Sequence, residues 1–170
     1  MEEIVIPKEN AVFWLDRHGC WRNRHGRFEQ SRIIAKFHAA IECDRDGYYL
    51  SQINGAVREK VYFHCEDTAL FVFDLRLEAD TVTLILNTGR QMPLVPETLY
   101  IQNDALYVEA DGERIRFADR GLMKFSRLLE DDGTTCFYRL GNVRVPIPEK
   151  SLAEVHPSNM DKDDRHVRKP

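Results

Sequence analysis

No apolar run in this 170-residue chain approaches the roughly 20 residues needed to cross a bilayer. That excludes a membrane-spanning helix. The opening MEEIVIPKEN is acidic and lacks a long apolar core, so a secretory signal is not expected there. The four cysteines (Cys20, Cys43, Cys65, Cys136) form no C-x-x-C pair. Without an export signal, reduced thiols in a cytoplasmic protein are the expectation. There is no Gly-rich phosphate loop, no H-E-x-x-H and no G-x-S-x-G. What remains is ordinary globular material: 43% hydrophobic, 31% charged, with a net charge of −4. A chain of that sign repels a polyanion on average.

One stretch reverses the average. Between Arg17 and Lys36, the residues Arg22, Arg24, Arg27 and Arg32 add to the basic charge, and only Glu29 opposes them. Inside it lies HGCWRNRHG, residues 18–26. AVFWL (11–15) and CWRN read as two short strands around a DRHG turn. Strand alternation then turns Trp21 inward and Arg22 and Arg24 outward.

SRIIAKFHAAIECDRDG reads as an amphipathic helix, with Ile33, Ile34, Phe37 and Ile41 at helical spacing. YYLSQI and REKVYFHC form a hairpin at Asn54-Gly55. ALFVFDLRL and TVTLILNT form a second pair, and the two prolines in MPLVPETLYIQ place that segment at an edge or in a loop. Around Asp111-Gly112 a two-residue turn sets Val108 opposite Ile115 and Leu106 opposite Phe117 on one face. Glu109 then faces Arg114, and Tyr107 faces Arg116, on the other. Asp119 is expected to cap a helix, RGLMKFSRLLE, with Leu122, Phe125, Leu128 and Leu129 inside. TTCFYRL and VRVPI close a last hairpin at Gly141-Asn142.

The two ends follow one order: hairpin, helix, hairpin. Lys36-Phe37 and Ile41-Glu42 align with Lys124-Phe125 and Leu129-Glu130 at one constant offset, which reads as a duplication. The expected class is α+β, with duplicated hairpin–helix–hairpin units and a central antiparallel insert. The expected organisation is an N-terminal extension (1–10), a first half (11–67), a second half with the insert (68–148) and a disordered tail (149–170).

Asp16-x-x-Gly19-x-Trp21, the Gly26 turn, a helix with Phe37 at its middle, Asp46-Gly47-Tyr48-Tyr49-Leu50, Glu59-Lys60-Val61 and Glu66-Asp67 carry a resemblance. In them the chain resembles a bacterial family of unknown function whose members pair two related halves, the second superficially like a pleckstrin-homology fold. The likeness is strongest over residues 13–75. The chain departs from it at Thr68-Ala69-Leu70-Phe71, where the family has Pro and Phe, and at Gln30, where it has Arg. The resemblance implies a ligand site between the halves, for a nucleotide-like molecule, and a role in signal transduction.

The sharper chemical readings are weaker than the plain ones. His18, Cys20 and His25 match no zinc spacing and need a distant fourth ligand, so no metal is expected. His64 and Cys65 are adjacent in a strand and point to opposite faces, so they form no nucleophile–base pair. Cys65 reads as a core thiol, and Cys43 and Cys136 also sit in apolar contexts. Glu66 and Asp67 read as a strand end. No nucleic-acid motif accompanies the basic run.

One pair resists the plain reading. Arg139 faces Arg144 across the last hairpin, and like charges so placed destabilise it. A carboxylate from elsewhere or a bound anion would settle them. The expected function is a non-enzymatic module binding an anionic ligand between its halves. Some of Arg22, Arg24, Arg32, Arg139 and Arg144 are expected to converge on that cleft, with Glu59 and Lys60 nearby. No cofactor, nucleic acid or membrane partner is expected. The alternatives are a module whose basic surface docks an acidic protein, and a small enzyme with an unidentified site.

Overall fold

Glu2–Ile6 is a strand, β1, where the sequence suggested only an extension. It pairs in parallel with a later strand, Glu2 opposite Val57 through Ile6 opposite Val61. The computed structural model describes residues 2–152. Of the tail expected from residue 149, residues 153–170 lie outside the described residues. Its first residues are held in place instead of disordered, because they run beside Ile101, where Lys150 N–H donates to the Ile101 carbonyl at 2.8 Å.

The first part of the chain continues with β2 (Phe13–Leu15), β3 (Trp21–Asn23), β4 (Gly26–Arg27) and α1 (Ser31–Ala39). Then come β5 (Ile41–Asp44), β6 (Gly47–Asn54), β7 (Val57–Tyr62) and β8 (His64–Cys65). The rest runs β9 (Leu70–Glu78), β10 (Thr81–Leu86), β11 (Gln91–Pro93), β12 (Leu99–Gln102), β13 (Ala105–Ala110) and β14 (Glu113–Phe117). It ends with α2 (Asp119–Phe125), β15 (Leu129–Asp131), β16 (Cys136–Leu140) and β17 (Val143–Ile147). Four sheets result, ordered β1-β7-β6-β5, β4-β3-β2-β8, β11-β10-β9-β14-β13-β12 and β15-β16-β17. The described residues are therefore mostly β, with two short α-helices and three 3-10 turns, in an α+β arrangement. Among the described residues no helix is long and apolar enough to cross a membrane.

Both helices are shorter than their periodicity suggests. Ile41 sits at helical spacing but opens β5 opposite Leu50. The helix stops at Ala40, whose N–H reaches back to Lys36 and Phe37. Ile33, expected inside, is 46% exposed, and His38 takes the buried place. Helical and strand spacing coincide at Ile41, and pairing with β6 decides between them. Leu129 likewise leaves its helix to pair with Tyr138. Asp119 does not cap α2: it is the first helical residue, and Ala118 stands at the cap without a side-chain bond. There its carboxylate still favours the positive end of the helix dipole.

The Asp111-Gly112 hairpin has the register read from the sequence, Tyr107 opposite Arg116, Val108 opposite Ile115 and Glu109 opposite Arg114. Asp111 and Gly112 both take left-handed backbone (φ +54° and +76°), as the tight primed turn requires. The expected Glu109–Arg114 charge pair does not form. Glu109 pairs with Lys150 at 3.7 Å, and Arg114 turns to Asp67.

Two cores meet at β9. Phe71 faces a core with Leu15, Trp21, Leu50 and Phe63. Leu70 and Val72 face a larger core with Leu84, Leu86, Leu99, Val108, Ile115 and Phe125. A strand whose alternate residues are buried on both faces joins the two parts of the chain. Gly121 brings α2 so close to this strand that a Cβ would collide with the Val72 carbonyl. The register also repeats. Ile41 and Glu42 face Leu50 and Tyr49, while Leu129 and Glu130 face Tyr138 and Phe137.

Candidate functional site

The five arginines expected to supply the cleft, and Glu59 and Lys60 expected near it, lie on three sheets, a turn and a helix. Arg22, on β3, gives its Nε to Asp16 Oδ2 at 2.6 Å. Arg24 gives its Nε to His25 Nε2 at 3.0 Å, and Arg32 is exposed on α1. Glu59 and Lys60 sit on β7, where Lys60 lies 3.3 Å from Asp44 and 4.8 Å above the Tyr49 ring. Arg139 and Arg144 both reach Glu130, and Arg144 stacks on Phe137 at 3.6 Å. Two pockets are lined by residues from both parts of the chain, and none of the seven lines either one.

Asp16 accounts for the Asp16-x-x-Gly19-x-Trp21 pattern. Its Oδ1 accepts the backbone N–H of His18 and Cys20, each at 2.9 Å, which closes the turn. Burial pushes this carboxyl upward. The Arg22 guanidinium and the two amides outweigh it and hold the group below the usual carboxylate range. Gly19 takes φ +77° with the Phe71 ring against it, so a side chain there meets both strain and a clash. Trp21 is 1% exposed, wedged among Phe13, Phe37 and Phe63.

The pocket with the most organised lining centres on Asp67. It has a volume of about 310 Å³ and includes Arg17, Glu66, Tyr107, Arg114 and Arg116 in its walls. Thr68 Oγ1 donates to the Arg114 carbonyl at 2.6 Å, which fixes Asp67 over the outer face of β13 and β14. Asp67 accepts from Arg114 Nη1 at 2.5 Å, Tyr107 Oη at 2.7 Å and Arg116 Nη1 at 2.9 Å. Arg114 is fully engaged: Nη2 goes to Gln102 Oε1 at 2.8 Å, Nε goes to Tyr100 Oη at 3.1 Å, and its plane lies 4.0 Å from the Tyr107 ring centre. Burial, and then the hydrogen bond to Asp67, push the Tyr107 hydroxyl up to about 12. It stays a neutral donor. Arg116 contributes one nitrogen to Asp67, and Arg17 lies 3.7 Å from Glu66 with two-thirds of its side chain exposed. Three arginines therefore face two carboxylates, which leaves one positive charge in the pocket.

Strand alternation in the sequence already sets Tyr107, Arg114 and Arg116 on one face of their hairpin, and Glu66-Asp67 does follow the end of β8. The Thr68–Arg114 tie, which brings the two segments together, leaves no local sequence mark.

The second pocket shared by both parts, about 410 Å³, holds Glu42, Cys43, Tyr48, Arg90 and Glu113 in its walls. Glu113 takes Arg90 at 2.8 Å and the Tyr48 hydroxyl at 3.3 Å. Cys43, expected in apolar surroundings, is exposed because it lies on the short strand β5 near its turn. Burial pushes the Cys65 thiol up to about 11, so it is not a poised nucleophile. Among the described residues no group of three or more His, Cys, Asp and Glu is placed to hold a metal ion.

No protein-family model matches the chain, and no curated protein does. Solved structures do. A DUF1285 family protein from Silicibacter pomeroyi DSS-3 superposes with a TM-score of 0.53 at 12% identity, covering 85% of this chain and 81% of its own. A DUF1285 family protein from Shewanella baltica OS155 gives 0.49 at 17% identity, covering 71% and 94%. At these identities the first likeness is one of fold: the chain shares its overall architecture with a bacterial DUF1285 family protein.

Proposed function

We propose that this chain is a non-enzymatic module that binds a small anionic ligand in the Asp67 pocket, between its two parts. The observation that carries this reading is the surplus positive charge. Asp67 neutralises part of a three-arginine cluster, and Arg116 and Arg17 keep guanidinium donors toward the pocket. Guanidinium forks suit phosphate and carboxylate oxygens. A pocket at the junction of two packed parts is a common place for a ligand.

The resemblance in sequence adds a nucleotide-like ligand and a role in cytoplasmic signal transduction to this proposal. It also adds a pleckstrin-homology-like second half, in keeping with the antiparallel strands that precede α2. A duplication is supported by the shared order of three strands, a helix and three strands in β2–β7 and in β12–β17. It is supported too by the repeated pairing of Glu42 with Tyr49 and Glu130 with Phe137.

The test is a thermal-shift screen against nucleotides and phosphorylated metabolites, followed by calorimetry. A ligand at about 100 times its dissociation constant stabilises by roughly 2.7 kcal/mol. Arg116→Ala is expected to abolish the shift, and Arg144→Ala, whose partner is Glu130, to leave it intact. A ligand that stabilises both variants equally rules out this pocket, and a screen with no shift rules out this ligand class.

A further inference from the structure

A single row of side chains crosses the outer face of the β4-β3-β2-β8 sheet. Arg27 stands opposite Arg22, Arg22 opposite Trp14, and Trp14 opposite His64. Directly opposed residues project to the same face. The other face carries Leu15 and Trp21 into the core. With strands about 4.8 Å apart, the row spans roughly 14 Å.

Two cross-strand arginine pairs occur among the described residues, and they differ. Between Arg139 and Arg144 lies Glu130. Between Arg22 and Arg27 the balance is incomplete. Asp16 engages Arg22, while Arg27 and neighbouring Arg24 have no carboxylate partner among the described residues. Opposed like charges destabilise a strand pair, so this face has a standing demand for negative charge.

The face also has an apolar element. Trp14 is half-buried and makes no ring contact among the described residues. Beside it is a depression of about 570 Å³ lined by Ala11, Val12, Trp14, Asn23, Arg24 and His25. Val12 is 77% exposed at its rim. Tryptophan and arginine are the residue types that most often dominate protein interfaces.

We propose that this face docks an acidic, extended segment of a partner protein. Its carboxylates engage Arg22, Arg24 and Arg27, and one aliphatic side chain enters the depression against Trp14 and Val12. The charge pattern favours this occupant. The chain is net negative, which disfavours a second copy and long polyanions, yet it offers one basic face. A single-stranded nucleic acid is held by successive aromatic platforms. This row has one indole, and the apolar part of the depression beside it is the aliphatic pair Ala11 and Val12. None of these residues lines the Asp67 pocket, so the two proposals stand apart.

The probe is a fluorescein-labelled, glutamate-rich peptide with a single leucine, titrated into the full chain and followed by anisotropy. Intrinsic fluorescence is read in parallel. Trp21 is buried, so a change in emission reports Trp14. Binding that weakens with salt is expected, with at least tenfold loss of affinity in Arg24→Glu and in Arg27→Glu. Arg116→Ala is expected to bind as the parent does. Both charge reversals fall on exposed side chains, and an unchanged melting midpoint verifies their fold. The proposal is overturned by absence of binding, by equal affinity in the reversed variants, or by tighter binding of oligothymidylate than of the peptide.

Discussion

Arg139 and Arg144 stand directly opposite each other on β16 and β17 and share one carboxylate: Glu130, on β15, lies 3.0 Å from Arg139 Nη1 and 3.1 Å from Arg144 Nη2. The unexplained pair of the sequence is settled locally, with no need of a bound anion. Glu42, second residue of β5 as Glu130 is of β15, accepts from Tyr49 and from Arg58 at 2.7 and 2.8 Å.

Removing that carboxylate leaves two like charges facing each other. Glu130→Gln is expected to destabilise by about 0.5–1 kcal/mol, since the groups are substantially exposed. Adding Arg139→Gln restores most of the loss. Urea unfolding of the single and double variants measures it. A double variant less stable than the single one contradicts the repulsion argument.

Trp21 has the opposite character. Its ring is enclosed by Phe13, Phe37, Phe63 and His38. Trp21→Ala is expected to cost about 3–5 kcal/mol, as large aromatic truncations in a core do. A chemical denaturation midpoint equal to the parent's refutes the burial of Trp21.

His38 couples stability to pH. Its Nδ1 accepts from Asn87 Nδ2 at 3.1 Å in the core between the two parts of the chain. Burial lowers its pKa to about 4 from 6.5, against a partial opposing pull from the Gly19 carbonyl. The unfolded chain therefore binds the proton first as pH falls. Stability is full above about 6.5 and declines between 6.5 and 4, by at most about 1.4 kcal/mol per pH unit. Parent and His38→Gln unfolding curves compared across this window isolate the effect. Identical slopes in both remove His38 as its source.

Asp67 is the shared acceptor of Arg114, Arg116 and Tyr107. Asp67→Ala leaves two guanidinium groups and a hydroxyl without their acceptor in a mostly buried place. A loss of about 2–4 kcal/mol is expected, reduced from the fully buried case by partial exposure of the arginines. Asp67→Asn costs less, because an amide oxygen still accepts. If thermal unfolding shows Ala and Asn variants equally stable, the carboxylate is not the organiser of this pocket.

The strands and turns were legible wherever one local rule acted alone. The Asp111-Gly112 turn, the alternation around it and the inward Trp21 follow from backbone sterics and period-two burial. Where two rules coincided, sequence reasoning overran. Ile41 and Leu129 satisfy the helical stripe and the strand pairing equally well. The partner strands chose, because paired backbone together with core burial outweighs a few tenths of a kcal/mol of helix propensity per residue. The strand at Glu2–Ile6 was missed for a related reason: its apolar run is short, and its partner β7 lies more than fifty residues away in sequence.

By itself the sequence determined the α+β character, the basic run from Arg17 to Lys36, the facing of Arg139 and Arg144, and the outward side of Arg114 and Arg116. Each depends on neighbours a few residues apart, where chain geometry leaves little freedom. Only the tertiary structure decided which charges meet. Glu130 answers one arginine pair, Asp16 answers half of another, and Asp67, just ahead of β9, gathers Arg114 and Arg116 from the neighbouring strand β14, more than forty residues away in sequence. Long charged side chains reach any carboxylate that folding brings within a few ångströms, and their sequence positions record nothing of that distance.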